Sequence, residues 1–166
     1  IKLIYCKINM SQKKTDDNRI VTQNRRARYD YFIEETFSAG VALVGSEVKS
    51  LRGGRASLAD AYADEKDGEF FLYNCHIPEY AAANRFNHIP TRPRKLLIKR
   101  KEIDYFIGAV QQKGKTLIPL SIYFNDRGFA KIQLGLVTGK KKVDKREDIQ
   151  KRDWQRQKAR LLRDRG

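Results

Sequence analysis

Apolar positions recur along this chain at two spacings. In "NRRARYDYFIEETFSAGVALV", Tyr29, Tyr31 and Ile33 alternate with Asp30 and Glu34, the two-residue period of a half-buried strand. Gly40 interrupts that run and "VALV" resumes it. "SEVKSLRGG" predicts a short helix, with Val48 and Leu51 on one face, Ser46 as cap and Gly53–Gly54 as stop. "ASLADAYADEKDGEFFLYNCHI" predicts two strands around a turn at Lys66–Asp67–Gly68. "NRFNHIPTRPRKLLI" has little periodicity and reads as a loop stiffened by Pro90 and Pro93. The clearest helix is "KRKEIDYFIGAVQQKG", where Ile103, Phe106, Ile107 and Val110 share a face and Gly114 ends the run. "TLIPLSIYF" then places Ile118, Leu120, Ile122 and Phe124 on one strand face. "NDRG" turns the chain, and "FAKIQLGLV" returns with Ile132, Leu134 and Leu136 on one face, a hairpin.

Short turn-linked strands with one amphipathic helix between hairpins predict a mainly β domain with helices. The expected form is a small antiparallel barrel resembling the oligonucleotide-binding fold, which closes most edges and leaves a face for RNA. This barrel is expected over residues 24–138. Residues 1–23 are read as a leader and a disordered arm. The opening "IKLIYCKIN" is cut by Lys2 and Lys7 and has no small-residue cleavage site. Met10, the sole methionine, is read as the start, with the preceding nine residues taken from upstream sequence.

Residues 139–166 form a tail of another character. It holds twelve Lys or Arg and five Asp or Glu, a net +7 out of the +15 of the whole chain. Asp144 with Glu147 makes a partial capping box, and Glu147–Lys151 and Asp148–Arg152 are spaced as helical ion pairs. Trp154, the sole tryptophan, shares a stripe with Lys158, Leu161 and Leu162 only if the tail is helical. An isolated helix of this kind is marginal in water. The tail is therefore expected to be disordered when free and helical where a partner holds the stripe.

A pI near 9.9 directs the chain toward a polyanion. No run of about 18 apolar residues exists to span a bilayer. Of the two large polyanions, nucleic acid and a membrane surface, RNA is the expected partner, because three separate clusters share one sign on a small domain. "NRRAR" offers Arg25, Arg26 and Arg28. "PTRPRKLLIKRK" offers Arg92, Arg94, Lys95, Lys99, Arg100 and Lys101. Guanidinium groups pair with phosphates in a two-pronged manner, and nearby Tyr and Phe can stack on unpaired bases. On composition alone, an rRNA-binding ribosomal or assembly protein satisfies the same features.

Catalytic and metal chemistry find little support. Cys6, Cys75, His76 and His88 lack the spacing of zinc modules, so no metal or cofactor is expected, and the two cysteines read as thiols in a reducing cytosol. "QKGKT" lacks the first glycine of a phosphate loop, since Ala109 stands there, and it follows a helix rather than a strand. The carboxylates Glu34, Glu35, Asp60, Asp64, Glu65 and Asp67 are scattered, and Glu34 and Glu35 are expected on opposite strand faces. No enzyme is expected, and no small-molecule substrate.

The blocks "NRRARYDYFIEETFSAG", "GSEVKSLRGGRASLADAY", "DGEFFLYN", "PTRPRKLL" and "GKKKVDKREDIQKRDW", in this order, resemble the SmpB family, the SsrA-binding proteins of bacteria. The resemblance runs from about residue 24 to 162. It implies a cytoplasmic, monomeric protein that binds one tmRNA, the RNA acting as both transfer and messenger RNA on stalled ribosomes. The family's barrel grips the tRNA-like part of tmRNA and stands in for the anticodon stem. Its tail enters the decoding centre and the empty mRNA channel as a helix, in place of codon–anticodon pairing. The incomplete peptide is tagged for degradation and the ribosome is released, with no catalysis by the protein. By motif, Asn24, Arg25, Arg26, Arg28, Lys49, Arg52, Arg92, Arg94, Lys95 and Leu97 fall in the tmRNA-binding part. Gly139, Lys140, Lys141, Asp144, Lys145, Arg146, Trp154, Leu161 and Leu162 fall where the tail meets the ribosome. Two positions depart from some relatives: Ser38 stands where they carry an acidic residue, and Val143 where they carry a histidine.

Overall fold

The computed structural model describes residues 19–83, 87–111, 114–140 and 142–163. The expectations for the leader, Met10, Cys6 and Lys141 lie outside these residues. Seven strands form one antiparallel sheet: β1 (Arg19–Gln23), β2 (Tyr31–Val41), β3 (Tyr62–Lys66), β4 (Glu69–Tyr73), β5 (Arg94–Leu97), β6 (Lys115–Phe124) and β7 (Ala130–Gly139). Their order is β1-β6-β3-β4-β5-β2-β7, and β6 also pairs with β7. The sheet thus closes on itself as a barrel through β2, β5, β4, β3, β6 and β7, with β1 added along the C-terminal half of β6. Among the described residues three helices lie between strands, α1 (Ala27–Asp30), α2 (Gly45–Arg52) and α3 (Arg100–Val110), and α4 (Lys142–Arg163) follows β7.

The barrel interior holds Phe37, Ala39, Leu51, Phe70, Leu72, Leu96, Leu117, Ile122 and the predicted triple Ile132, Leu134 and Leu136. The apolar stripe of α3 seals against it. Ile103 and Phe106 are buried, and the Phe106 ring stacks on Phe37 at 3.9 Å between centroids. The β3–β4 hairpin turns at Asp67 and Gly68, both at positive φ, the conformation of a tight primed turn.

Several expectations need correction. Tyr29 is not in a strand. Asn24 accepts the Ala27 N–H through Oδ1 at 3.1 Å and donates to the Leu58 carbonyl at 3.0 Å, nucleating α1 before β2 begins. Residues 19–23, read from sequence as part of an arm, pair with β6 as β1, Arg19 with Phe124 and Gln23 with Ser121. Gly40 does not break β2. It pairs with Leu97, and a Cβ there would lie 3.1 Å from Leu97 Cβ, so glycine permits the close approach of β5. Ser46 does not cap α2. The Val44 N–H is taken by the Glu47 carboxylate at 2.8 Å, and Ser46 Oγ bonds His88 instead. Part of the expected loop, Arg94–Leu97, is strand β5, joined to both β2 and β4.

The predicted single face of Ile118, Leu120, Ile122 and Phe124 is split by a bulge between Pro119 and Ser121. One extra residue there reverses the side-chain parity. Leu117, Ile122 and Phe124 therefore face the barrel core, whereas Ile118 joins Ala27 and Val137 in a second cluster with Leu120 against it. A second bulge, between Ile33 and Glu35 of β2, likewise undoes the alternation expected of Glu34 and Glu35. Both carboxylates act electrostatically on Lys115 and on Tyr105.

Candidate RNA interface

The first cationic group stands on α1 and the turn before it. Arg25, Arg26 and Arg28 are not buried, with Arg26 loosely paired to Asp30 at 3.7 Å. Asn24 is half-buried with its amide bonded to Ala27 and Leu58, so it shapes this corner rather than presenting its amide freely. Lys49 and Arg52 also reach the surface on α2, and the Lys49 ammonium lies 5.6 Å from the centre of the Tyr80 ring.

The second predicted cluster is divided: Arg94 is buried and Arg92 half-buried, whereas Lys95, Lys99, Arg100 and Lys101 are exposed. Arg94 has no exposed surface. Its Nε donates to Glu47 Oε1 at 2.8 Å, Nη1 to the carbonyls of Cys75 and Arg92, and Nη2 to the Pro90 carbonyl. Arg92 grips the same carboxylate with two prongs, at 2.8 and 2.6 Å. Burial alone would push the Glu47 carboxyl up. The Arg92 and Val44 hydrogen bonds and the Arg94 charge outweigh it and hold the group below its ordinary value. This ion triad, with Arg92 half-buried, ties Cys75, Pro90 and the start of β5 to α2. Sequence spacing shows three cations close together, but only the fold reveals that Glu47, nearly fifty residues away, consumes two of them. Lys95 pairs with Glu69 on the surface, an exchangeable contact. Leu97 is exposed on β5.

Cys75 and His88 are held in structural surroundings. Cys75 is buried, and burial pushes its thiol up to about 11, so it stays protonated. The two ring nitrogens of His88 are occupied by Ser46 Oγ and the Ile77 carbonyl. Among the described residues no group of three His, Cys, Asp or Glu converges as a metal site.

The tail leaves β7 at Gly139. The Lys140 N–H donates to the Asp30 carbonyl at 3.0 Å, and its ammonium reaches the Arg28 carbonyl and lies 4.8 Å from the centre of the Phe32 ring. The root of the tail is thereby fastened to α1. Beyond it α4 runs for 22 residues, with Asp144 in its first turn rather than at its cap, because the helix begins at Lys142. Arg146 is exposed, and Trp154 and Leu161 are 62% and 63% exposed. The Lys158 ammonium lies over the Trp154 ring, 5.4 Å from its centre. The side chains of Val143, Lys145 and Leu162 lie outside the described residues. An arginine-flanked corner, a fastened tail root and an uncovered apolar stripe on a basic helix thus lie in sequence along one molecule.

The family model described as "SmpB protein" matches residues 21–164. The chain belongs to the SmpB family. It is 56% identical over 151 residues to an SsrA-binding protein of Novosphingobium aromaticivorans, covering 91% of this chain and 94% of that one. It is 57% identical over 157 residues to an SsrA-binding protein of Methylobacterium nodulans, covering 95% of this chain and all of that one. Among solved structures it resembles a chain described as "tmRNA-SmpB: a journey to the center of the bacterial ribosome", with a TM-score of 0.62 and 50% identity. That likeness covers 73% of this chain and 85% of the other.

SmpB membership extends over barrel and tail alike, and it is an RNA-binding family. At the departing position, Ser38 Oγ is hydrogen-bonded to the Tyr123 hydroxyl at 2.6 Å, bridging β2 and β6. Sequence reasoning also passed over the far side of Leu97. There an open groove of about 660 Å³ runs between β5, α2 and the β6–β7 turn, with Arg127, Phe129 and Lys131 on its edge. The signal available in the sequence was a phenylalanine in a polar turn, "NDRGF", where nothing local could bury it.

Proposed function

We propose that this chain is a tmRNA-binding adaptor of trans-translation. It delivers tmRNA to stalled ribosomes, stands in for the anticodon stem and for codon–anticodon pairing, and lets the incomplete peptide be tagged and the ribosome released. It works in the cytoplasm as one copy per tmRNA and catalyses nothing itself. The observation that carries this reading is the SmpB match across residues 21–164, which takes in the tail as well as the barrel.

The tmRNA face in this reading comprises Arg25, Arg26, Arg28, Lys49, Arg52, Lys95 and Leu97. Asn24, Arg92 and Arg94 shape it from beneath. The ribosomal face comprises Gly139, Lys140, Lys141, Asp144, Lys145, Arg146, Trp154, Leu161 and Leu162. The uncovered stripe of α4 supports a tail that takes its helix from the decoding centre and mRNA channel, and loses it when free. Cross-linking in cells tests the reading: tmRNA should be recovered in near one-to-one amount with the protein. Recovery of rRNA alone would show instead a ribosomal or assembly protein.

A further inference from the structure

The outer face of the β3–β4 hairpin carries the opposite charge to the rest of this basic molecule. Residues 60–69 hold five carboxylates and one lysine, a net −4 in a chain of +15. The strand register sets three rows across the face: Tyr62 opposite Tyr73, Asp64 opposite Phe71 and Lys66 opposite Glu69. The other face of the same strands, with Ala63, Phe70 and Leu72, is buried in the barrel. Tyr62 is 41% exposed, and its ring stacks on Tyr73 at 5.4 Å between centroids. Glu69 is paired with Lys95 from β5, whereas Asp60, Asp64, Glu65 and Asp67 form no ion pair among the described residues. Beside Tyr62 the face opens into a cleft of about 440 Å³, on which Asp60 and Asp30 stand, together with Arg26.

We infer that this sheet face is a docking surface for an extended, arginine- or lysine-bearing segment of a protein partner. Its occupant is a polypeptide, beyond the RNA partners proposed above. Aromatic rings beside carboxylates attract a cation twice over, through the ring quadrupole and through charge. The same carboxylates repel phosphate, so the face does not continue an RNA-binding surface. A metal ion does not suit it either. Among the described residues no three acidic groups converge, and the carboxylates are instead strung along the hairpin. Alternate side chains on a strand lie about 6.6–6.8 Å apart, the same interval that separates alternate side chains of an extended peptide. A segment with cations at every second residue therefore meets Tyr62 and Asp64 in step, with its next cation directed toward Asp60. The face is also preformed. Glu65 Oε1 accepts the Gly68 N–H at 2.6 Å, Asp64 Oδ1 accepts the Glu65 N–H at 2.9 Å, and buried Phe70 and Leu72 anchor the strand behind.

The test is a nuclear magnetic resonance titration of the full chain with a synthetic decapeptide alternating Arg and Ser. Amide shifts should concentrate on residues 60–73. Asp60→Lys with Asp64→Lys should weaken the peptide at least about tenfold, because each exposed ion pair contributes up to about 1 kcal/mol and its reversal adds repulsion. Tyr62→Ala should weaken it about two- to fivefold, the range of an exposed cation–π contact, and Tyr62→Phe should restore parent affinity. These residues are exposed, so melting temperatures should match the parent. If the double reversal melts lower, the Tyr62→Ala and Tyr62→Phe pair carries the comparison alone. Absence of shifts on residues 60–73, or equal affinity in Tyr62→Ala and the parent, would overturn the docking surface. Decauridylate shifting the same amides would assign the face to RNA instead. Tighter peptide binding after removal of the residues beyond 140 would make this chain's own basic tail the occupant. Self-association of the parent in sedimentation, lost on the double reversal, would make it a second copy. Each of these three outcomes also overturns the proposal.

Discussion

Glu47 performs three tasks with one carboxylate. It accepts the Val44 N–H at the start of α2, receives two prongs from Arg92 and bonds Arg94, all with its side chain fully buried. Removing one partner of a buried pair leaves an uncompensated charge and costs about 3–5 kcal/mol. Arg94→Ala and Glu47→Ala should each lower stability by that order in chemical denaturation. Arg94→Ala should leave the salt slope of RNA binding unchanged in the folded fraction, because its guanidinium touches no solvent. A flattened slope would return Arg94 to the interface. The pH dependence has a definite sign. The carboxyl of Glu47 lies below its ordinary 4.5 in the folded protein, so folding favours the ionised form. That contribution is complete above the unfolded value and is lost as pH falls through the folded one. Stability should therefore decline on acidification below about 4.5, and Glu47→Gln should decline less.

At the scale of elements, β1 and α4 make opposite demands. β1 is short and its side chains are mostly exposed, but it completes the backbone pairing of the bulged half of β6. A chain beginning at Asn24 should melt at a lower temperature than one beginning at Arg19. Equal melting would mean that the strand adds no stability. α4, in contrast, owes little to the barrel beyond its root. Trp154→Ala should leave melting temperature and tmRNA affinity nearly intact and lower tagging on stalled ribosomes. Leu161→Asp with Leu162→Asp should lower tagging further. Free-protein tryptophan emission should be solvent-like and shift on ribosome binding, and residues beyond 140 should be cut first by protease. A blue-shifted, quencher-protected Trp154 in the free protein would place it in a core and refute the tail's role.

Over the whole molecule, the proposed function divides the partners at Lys140, tmRNA on the barrel and the ribosome on the tail. A fragment ending there keeps the pairing of Tyr31 with Gly139 and the Lys140–Asp30 bond, so its barrel is intact. It should bind tmRNA almost as tightly as the full chain and fail in tagging. Its affinity should fall with salt, with a log–log slope of magnitude roughly 0.7 to 0.9 per phosphate neutralised. Arg25, Arg26 and Arg28 together changed to Gln should flatten that slope, and an unchanged slope would remove α1 from the RNA face.

Much of this was legible in sequence because it depends on local period. The α3 stripe, the β3–β4 turn at Asp67–Gly68 and the core face of β7 are each written within a dozen residues, and the ordered SmpB blocks carried the family. Where one extra residue shifts a strand, local period misleads. Pro119 cannot donate to a ladder, and it was the available hint of the bulge that sends Ile118 and Leu120 to a different cluster from Ile122. The fate of the cations was not legible at all. Arg25 and Arg94 look alike as residues in basic runs. One reaches solvent beside α1 and the other is buried against Glu47, because an ion's partner is chosen by the distances that barrel closure creates. Sequence alone determined the basic charge, the amphipathic elements and the family. Tertiary structure alone decided which charges remain available to RNA, since pairing requires proximity and proximity across some fifty residues is a property of the folded chain.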